Sequence, residues 1–271
     1  MQAMMHDTAL PVRAAAAAPT RPGKLWPHQA TIGLSLFALI LSSWIAIHIY
    51  GVFFFDVRSS LWPLVPVIAA VQCWLTVGLF IVAHDAMHGS LAPFRPGLNR
   101  RIGALILMIY AGFSWKRVRD AHFAHHDAPG TEADPDFFTG DPSRFGPWYR
   151  TFFTRYFGIG SIAFVSTIVT IEIVLLGARV ENVVLFYGLP SLASSVQLFY
   201  FGTYLPHRHE DEHEAGAFAD AHNARSSEFG YLASLFTCFH FGYHHEHHLA
   251  PSVPWWALPM ARAETRTQLA G

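Results

Sequence analysis

The sequence predicts an all-α integral membrane protein. Hydrophobic residues make up 52% and charged residues 14% of the 271 positions, whereas a typical soluble domain carries about 25% charged residues. Four apolar segments are long enough to cross a bilayer as helices, which takes about 20 residues. The 17 histidines concentrate in three clusters beside these segments. We therefore expect four transmembrane helices in two hairpins, with re-entrant or interfacial helices and a cytoplasmic histidine-rich cap.

Each predicted hairpin pairs two apolar segments that a short link joins. Ile32–Phe55 and Leu61–Ala83 carry no formal charge and form the first hairpin. Phe157–Gly177 and Val183–Leu205 form the second. A further apolar segment, Ile102–Trp115, has only 14 residues and basic flanks, so it is typical of a re-entrant or interfacial helix.

The segments outside the spans complete the predicted organisation. Residues 1–29 are expected to be a disordered cytoplasmic tail, because they combine alanine, proline and charge without a long apolar core. Residues 30–260 would form one membrane domain, and residues 261–271 a C-terminal tail. Residues 127–155 are rich in proline, glycine and aspartate, which predicts an ordered loop beside the histidines.

Basic residues orient the predicted spans. With four spans, sixteen of the 18 lysines and arginines lie on one side, and only Arg58 and Arg179 lie on the other. The positive-inside rule assigns the richer side to the cytoplasm, and all three histidine clusters fall there. The net charge of −1 gives no indication of a nucleic-acid partner.

The three histidine clusters read HDAMH, HFAHH and HHEHH. On a helix, positions i, i+3 and i+4 share one face, so each cluster can direct its spaced imidazoles at one point. About 0.07 chance matches to H-x-x-H-H are expected at this histidine frequency, and the chain has two. Eight neutral imidazoles exceed what one metal ion holds and suit two. The eight are His84, His88, His122, His125, His126, His244, His247 and His248.

Two further histidines compete as a ninth ligand. His207, in FGTYLPHR, directly follows the last apolar residue of the fourth span, and His222, in HNARSS, lies 15 residues further on. Topology favours His207 as the ligand, because it leaves the membrane on the side of the clusters. His222 is expected to orient a ligand or the substrate through hydrogen bonds. His245 lies one step off the ligand register and is not expected to bind metal.

Acidic residues near the clusters are candidates for orienting the imidazoles. Metal-bound histidines usually donate their second N–H to a carboxylate or a carbonyl. Asp85, Asp127 and Glu246 each adjoin a predicted ligand, and Asp134 and Asp136 follow the second cluster. The alternatives are ordinary surface charge for the first three and turn formation for the last two.

A metal transporter is the competing class of function. Transport would place ionisable groups within several spans near the midplane, whereas here the histidines cluster at one face. His48 and Glu172 do lie within spans, but towards the ends remote from the clusters. We therefore expect them to have a packing role rather than a role in metal chemistry.

The histidine pattern on four spans resembles the membrane fatty-acid desaturase and hydroxylase superfamily. More narrowly, AHDAMHGSL, FAHHDAPGTEADPDF, FGTYLPHR, HNARSS and CFHFGYHHEHHLAPSVPWWALP are similar to motifs of the bacterial β-carotene ketolases, from about residue 30 to 260. The resemblance implies a desaturase-like domain with two non-haem irons, which uses O2 to convert the C4 methylene of β-ionone rings to a ketone. β-Carotene would pass through echinenone to canthaxanthin, and zeaxanthin would lead to astaxanthin.

The same resemblance implies the setting of the reaction. The enzyme would lie in the bacterial inner membrane, in contact with lipid and its carotenoid substrate. Electrons would come from reduced ferredoxin and ferredoxin reductase, because the chain contains no flavin or nicotinamide fingerprint. The superfamily also tends to supply an extra histidine at the end of its final span, which matches His207. A carotenoid hydroxylase or a fatty-acid desaturase on the same scaffold is the alternative, and the preference for hydroxylated rings stays open.

Overall fold

The computed structural model describes residues 26–208, 218 and 220–270, with side chains up to residue 267. The regular secondary structure of this part of the chain is helical, which confirms the predicted all-α class. The principal helices are α1 (Gln29–Phe54), α2 (Trp62–His88), α3 (Pro96–Ala111), α4 (Trp115–Asp127), α5 (Phe145–Tyr156), α6 (Ile159–Leu175), α7 (Val180–His207), α8 (Tyr231–Cys238), α9 (His244–Leu249) and α10 (Leu258–Ala270).

Three helices, α1, α2 and α7, are long and apolar enough to cross a membrane. Helices α5 and α6 qualify together, but they are bent by 78° at the break between them. The described part of the chain therefore has three candidate spans, or four if this bent pair is one span. Helix α6 corresponds to the predicted third span, and α1, α2 and α7 correspond to the other three.

Helix α5 corrects the prediction of a loop over residues 127–155. Its aromatic residues recur at helical spacing, and they pack with Phe199 and Tyr204 of α7. Trp148 of α5 is fully buried in this cluster, and its indole Nε1 donates to the backbone oxygen of Asp136 at 2.8 Å. The proline, glycine and aspartate content before residue 145 obscured this helical period in the sequence.

Helix α2 lies at the centre of the fold. It packs against α1, α3, α7 and α8, and its second half is almost entirely buried. A Cβ at Gly78 would lie 2.4 Å from the Phe239 ring, so glycine permits the close approach of the segment after α8. Helix α2 thus supports the histidines at its own C-terminal end and those of the neighbouring elements.

Helix α3 has 16 residues, which span about 24 Å at 1.5 Å per residue. This is shorter than the bilayer core of about 30 Å, as expected for the predicted non-crossing segment. The helix lies along α2, and a Cβ at Gly103 would clash with the Trp115 ring at 2.0 Å. That close contact fixes the corner between α3 and α4, and α4 carries the second histidine cluster.

His48 and Glu172 meet between α1 and α6. The His48 Nε2 atom lies 2.8 Å from Glu172 Oε1. The imidazole of His48 stacks on Trp44 and contacts the edge of Tyr187. These contacts join three spans, as the packing interpretation of the two residues requires.

Residues at both ends of the predicted membrane domain pack against its interior. Residues 1–25 of the expected N-terminal tail lie outside the described residues. Gln29, the last residue of that tail, is buried at the start of α1, and its amide donates to the Ser90 backbone oxygen at 2.7 Å. The expected C-terminal tail is the helix α10, whose buried Arg262 donates to Glu246 at 3.0 Å. The predicted boundary at residue 261 therefore cuts through a packed helix.

Candidate metal centre

Each histidine cluster occupies a helix or a helix end. The first occupies the C-terminal end of α2. Gly89, the residue after this helix, has the left-handed conformation with φ of 74°. The second lies in the C-terminal half of α4, and the third forms most of α9. His207 is the final residue of α7. The four elements converge, so their imidazoles meet in one region.

The nine predicted ligands separate into two groups, and each group offers nitrogen atoms within 4.8 Å of one another. The second and third clusters contribute to both groups, which keeps the two groups adjacent. No predicted ligand is left outside them. The first group is His84, His88, His122, His126 and His247; the second group is His125, His207, His244 and His248.

The donor atoms face one another across each group. In the first group, Nε2 of His88 lies 2.6 Å from Nε2 of His122. In the second group, Nε2 of His248 lies 3.2 Å from that of His125 and 3.1 Å from that of His244. Nitrogen atoms that converge in this way are placed to share a cation.

Unpartnered nitrogen atoms support the same interpretation. Both ring nitrogens of His84 and the Nε2 atom of His207 are buried without a hydrogen-bond partner among the described residues. A buried polar atom without a partner costs about 1–3 kcal/mol. A metal ion in each group would engage one nitrogen of His84 and the Nε2 atom of His207, so the residues fit the two ions that the sequence predicts.

His207 is held in the tautomer that a metal ligand needs. Its Nδ1–H donates to the backbone oxygen of Asn223 at 2.7 Å, which leaves Nε2 free to accept. The Asn223 amide in turn donates to the Pro129 backbone oxygen at 2.9 Å. Sequence reasoning missed this role of Asn223, because a backbone carbonyl leaves no signal in the identity of its residue.

Asp134 lies where the sequence places an orienting carboxylate. Its Oδ2 atom lies 2.8 Å from His125 Nδ1 and accepts from the Gly130 backbone N–H at 2.9 Å. Burial would lower the pKa of His125, but the hydrogen bond to Asp134 and its charge raise that pKa overall. Asp134 therefore fixes the ring of His125 so that Nε2 faces the second group.

Three other carboxylates do not orient ligands as predicted. Asp127 is exposed and makes no hydrogen bond within the described part of the chain. Glu246 is buried, but its two oxygens accept from Ser226 and Arg262. Asp85 lies 3.9 Å from His84 Nδ1, too far for a hydrogen bond. The physical reason is helical geometry, since the residue next to a ligand points about 100° away from the ligand face.

His222 also differs from its predicted role. Its ring centroid lies 6.0 Å from that of His248, and its ring makes no hydrogen bond to a ligand histidine within the described residues. The HNARSS segment acts instead through Asn223, as described above, and through Ser226. His245 points away from both groups and bonds Asp220 at 2.8 Å, consistent with its position off the register.

One cavity, of about 270 Å³, borders both histidine groups. Its wall includes His84 from the first group and His125 from the second, and the rest is mostly apolar and aromatic. The cavity also reaches Tyr187. This residue precedes His207 by twenty positions on α7, which corresponds to about 30 Å along the axis of a helix. The cavity could therefore hold an elongated apolar molecule with one end beside the histidines.

The comparisons with known proteins agree with this architecture. The family model described as fatty acid desaturase matches residues 59–172 and 159–271, which together exceed half of the chain. The chain belongs to the fatty acid desaturase family. Within this family it is similar to proteins named beta-carotene ketolase, so the resemblance seen in the motifs is confirmed.

The alignments with three of these relatives cover most of this chain. A beta-carotene ketolase of Paracoccus sp. is 48% identical over 233 residues, which are 84% of this chain and 91% of that protein. A beta-carotene ketolase of a second Paracoccus strain is 47% identical over 235 residues, 85% and 92% of the two chains. The zeaxanthin 4-ketolase of Chlamydomonas reinhardtii is 33% identical over 250 residues, 89% and 55% of the two chains.

Burial favours the neutral form of most clustered histidines outside the spans in the metal-free protein. Burial, followed by repulsion from neighbouring imidazoles, lowers the pKa of each of five histidines outside the spans. Neutral imidazole is the form that ligates metal, so the site is ready to bind at neutral pH. The five are His122, His126, His244, His247 and His248.

This electrostatic arrangement predicts that the metal-free protein loses stability on acidification. The five histidines have folded-state pKa values below their unfolded value of 6.5, so the unfolded chain binds more protons as the pH falls through that value. His125, with a raised pKa, opposes this trend but is outnumbered. Thermal unfolding of metal-stripped protein in detergent, between about pH 7.5 and 5, should show a falling midpoint. A constant or rising midpoint would contradict the prediction.

Proposed function

We propose that this chain is a carotenoid 4-ketolase with two non-haem irons, which uses O2 to convert the C4 methylene of β-ionone rings to a ketone. The observation that carries the proposal is an apolar cavity bordered by histidines of both groups. The similarity to beta-carotene ketolases over most of the chain supports the same reaction. The substrates would be β-carotene, through echinenone to canthaxanthin, and zeaxanthin, leading to astaxanthin.

The two histidine groups would hold one iron each. Imidazole suits iron among other metals, and the irons would supply the activation of O2 that an unactivated C–H bond requires. The protein's part is positioning. Asn223 and Asp134 fix the tautomers of His207 and His125, and the Phe241 ring packs 4.6 Å from His84 and 4.9 Å from His244, which limits access of water to the site.

The cavity would present C4 of the ring to the histidines. Its wall is mostly aromatic and aliphatic, which suits a hydrocarbon. Two successive hydroxylations at C4 would give a gem-diol, and loss of water from it gives the ketone. The polyene would extend along α7 towards Tyr187, between helices that face lipid on their other sides.

The arrangement in the membrane forms part of the proposal. His88 ends α2 and His207 ends α7, so both spans would finish on one side, as two antiparallel hairpins require. The distribution of basic residues makes that side cytoplasmic, in a bacterial inner membrane. There the site could receive electrons from reduced ferredoxin, which ferredoxin reductase would regenerate. The desaturase-like domain, expected over residues 30–260, would extend to Gln29 and α10.

Pigment analysis tests the proposed reaction. We expect the protein, produced in a bacterium that makes β-carotene, to yield carotenoids in which one oxygen replaces two hydrogens on one or both rings. Mass spectrometry distinguishes this change from the oxygen insertion of a hydroxylase and the hydrogen removal of a desaturase. Unchanged β-carotene, in cells shown to contain folded and iron-loaded protein, would contradict the proposal.

Elemental analysis tests the metal. Protein purified without added metal should contain about two irons per chain, because each histidine group supplies four or more donors. Active protein with stoichiometric zinc and no iron would refute the assignment.

A further inference from the structure

Asp136 and Tyr156 form a polar pair in the wall of the cavity. The Tyr156 hydroxyl donates to Asp136 Oδ1 at 2.6 Å, and both residues line the cavity. The backbone of Asp136 is fixed as well. Its N–H donates to Asp134 Oδ1 at 2.8 Å, and its carbonyl accepts from Trp148 Nε1 at 2.8 Å. The carboxylate is therefore held in place before any ligand arrives.

This pair lies at the metal end of the cavity. Asp134, which anchors the Asp136 backbone, also holds the ring of His125 through a bond of 2.8 Å. His125 and Asp136 line the same cavity, and the negative charge of Asp136 contributes to raising the pKa of His125. A ligand group next to the reacting carbon would thus come within reach of Asp136.

Asp136 differs from other polar residues around the cavity. The Tyr110 hydroxyl pairs with Ser194 at 2.9 Å, and Ser195 pairs with Tyr149 at 2.6 Å. In contrast, Asp136 Oδ2 has no hydrogen-bond partner among the residues that the structure describes. A carboxylate in the wall of a mostly apolar cavity gains from a donor that reaches its second oxygen. The cavity therefore offers a fixed carboxylate oxygen to its occupant.

A hydroxyl on the β-ionone ring is the donor that fits. In zeaxanthin the hydroxyl is on C3, the carbon next to the C4 that would be oxidised. We propose that Asp136, positioned by Tyr156, accepts a hydrogen bond from the C3 hydroxyl and so favours hydroxylated rings at this site. This inference rests on the proposed function and specifies its substrate class.

A competition between the two rings of one substrate molecule tests the proposed role of Asp136. β-Cryptoxanthin carries one hydroxylated and one unhydroxylated ring, so the two possible monoketones report ring preference within one molecule. At low conversion, before the second ring reacts, their ratio does not depend on the amount of active enzyme. A hydrogen bond to a charged group favours binding by roughly tenfold or more. We expect Asp136→Ala to lower the share of ketone on the hydroxylated ring by about that factor, and Tyr156→Phe to lower it less.

Tyr110→Phe is the matched control, because it removes a hydroxyl of the cavity wall that is already paired with Ser194. Its product ratio should equal that of the wild type. An unchanged ratio in Asp136→Ala, or an equal fall in Tyr110→Phe, would overturn the inference.

Asp136→Leu also removes the acceptor and serves if the alanine variant does not accumulate. A shift of its ratio in the same direction supports the inference, and no shift overturns it. Failure of the proposed function gives a different result, since the wild type would then form no ketone on either ring. Ketones formed in an unaltered ratio by the Asp136 variants would defeat only the role of Asp136.

Discussion

His207→Ala should lose about one of the two irons and reduce ketone formation by at least about a hundredfold, whereas His222→Ala should keep both irons. His207 is one of only four donors in the second group, and its buried Nε2 atom has no other partner among the described residues. His222 belongs to neither group. Removal of His207 leaves three imidazoles in the second group. A metal site depends on its ligand count, so the proposed second iron should be lost.

The two variants form a matched pair, since each removes one imidazole from the same face of the protein. Iron content by elemental analysis and ketone formation by mass spectrometry should be measured on protein that elutes as the wild type does. Loss of iron in His222→Ala with retention in His207→Ala would show that residues around 222 close over the site differently. Retention of both irons and full activity in His207→Ala would remove it from the ligand set.

The convergence of the histidines could be predicted because the spacing within each cluster depends on local geometry. The i, i+3, i+4 spacing places His122, His125 and His126 on one side of α4, whatever the rest of the fold does. The spacing could not show how a cluster is divided: His125 joins the second group, and its neighbours join the first. That division depends on how α4 packs against α2 and α9.

The orienting groups were less predictable, because they depend on tertiary contacts. Adjacency in sequence suggested Asp127 and Glu246, yet one is exposed and the other binds Arg262. The carbonyl of Asn223 reaches His207 across 16 positions of the chain. No local pattern encodes such a contact.

Helices α5 and α10 were also difficult to predict from the local sequence. Their sequences contain many polar or aromatic residues and lack the long apolar run of a span. Helix α5 is stabilised by its aromatic packing against α7, and α10 by the ion pair between Arg262 and Glu246. Tertiary burial, rather than local propensity, decides both elements.

Ser191→Trp should abolish ketone formation while both irons remain bound. Ser191 of α7 lines the cavity but belongs to neither histidine group. An indole at this position would fill part of a cavity of about 270 Å³, so a rigid polyene could no longer lie beside the histidines. Because the new side chain enters existing space, the cost in stability should stay within the roughly 1–3 kcal/mol typical of overpacking.

Val196→Trp is the control for this substitution. Val196 lies on the same helix, five positions later, but it is exposed and does not line the cavity. It adds the same indole without blocking the proposed path, so the variant should form ketone at a rate close to that of the wild type. If Ser191→Trp, with its iron content intact, also formed ketone at that rate, the substrate would have to reach the histidines by another path. Loss of iron in Ser191→Trp would instead show that the cavity wall supports the metal groups.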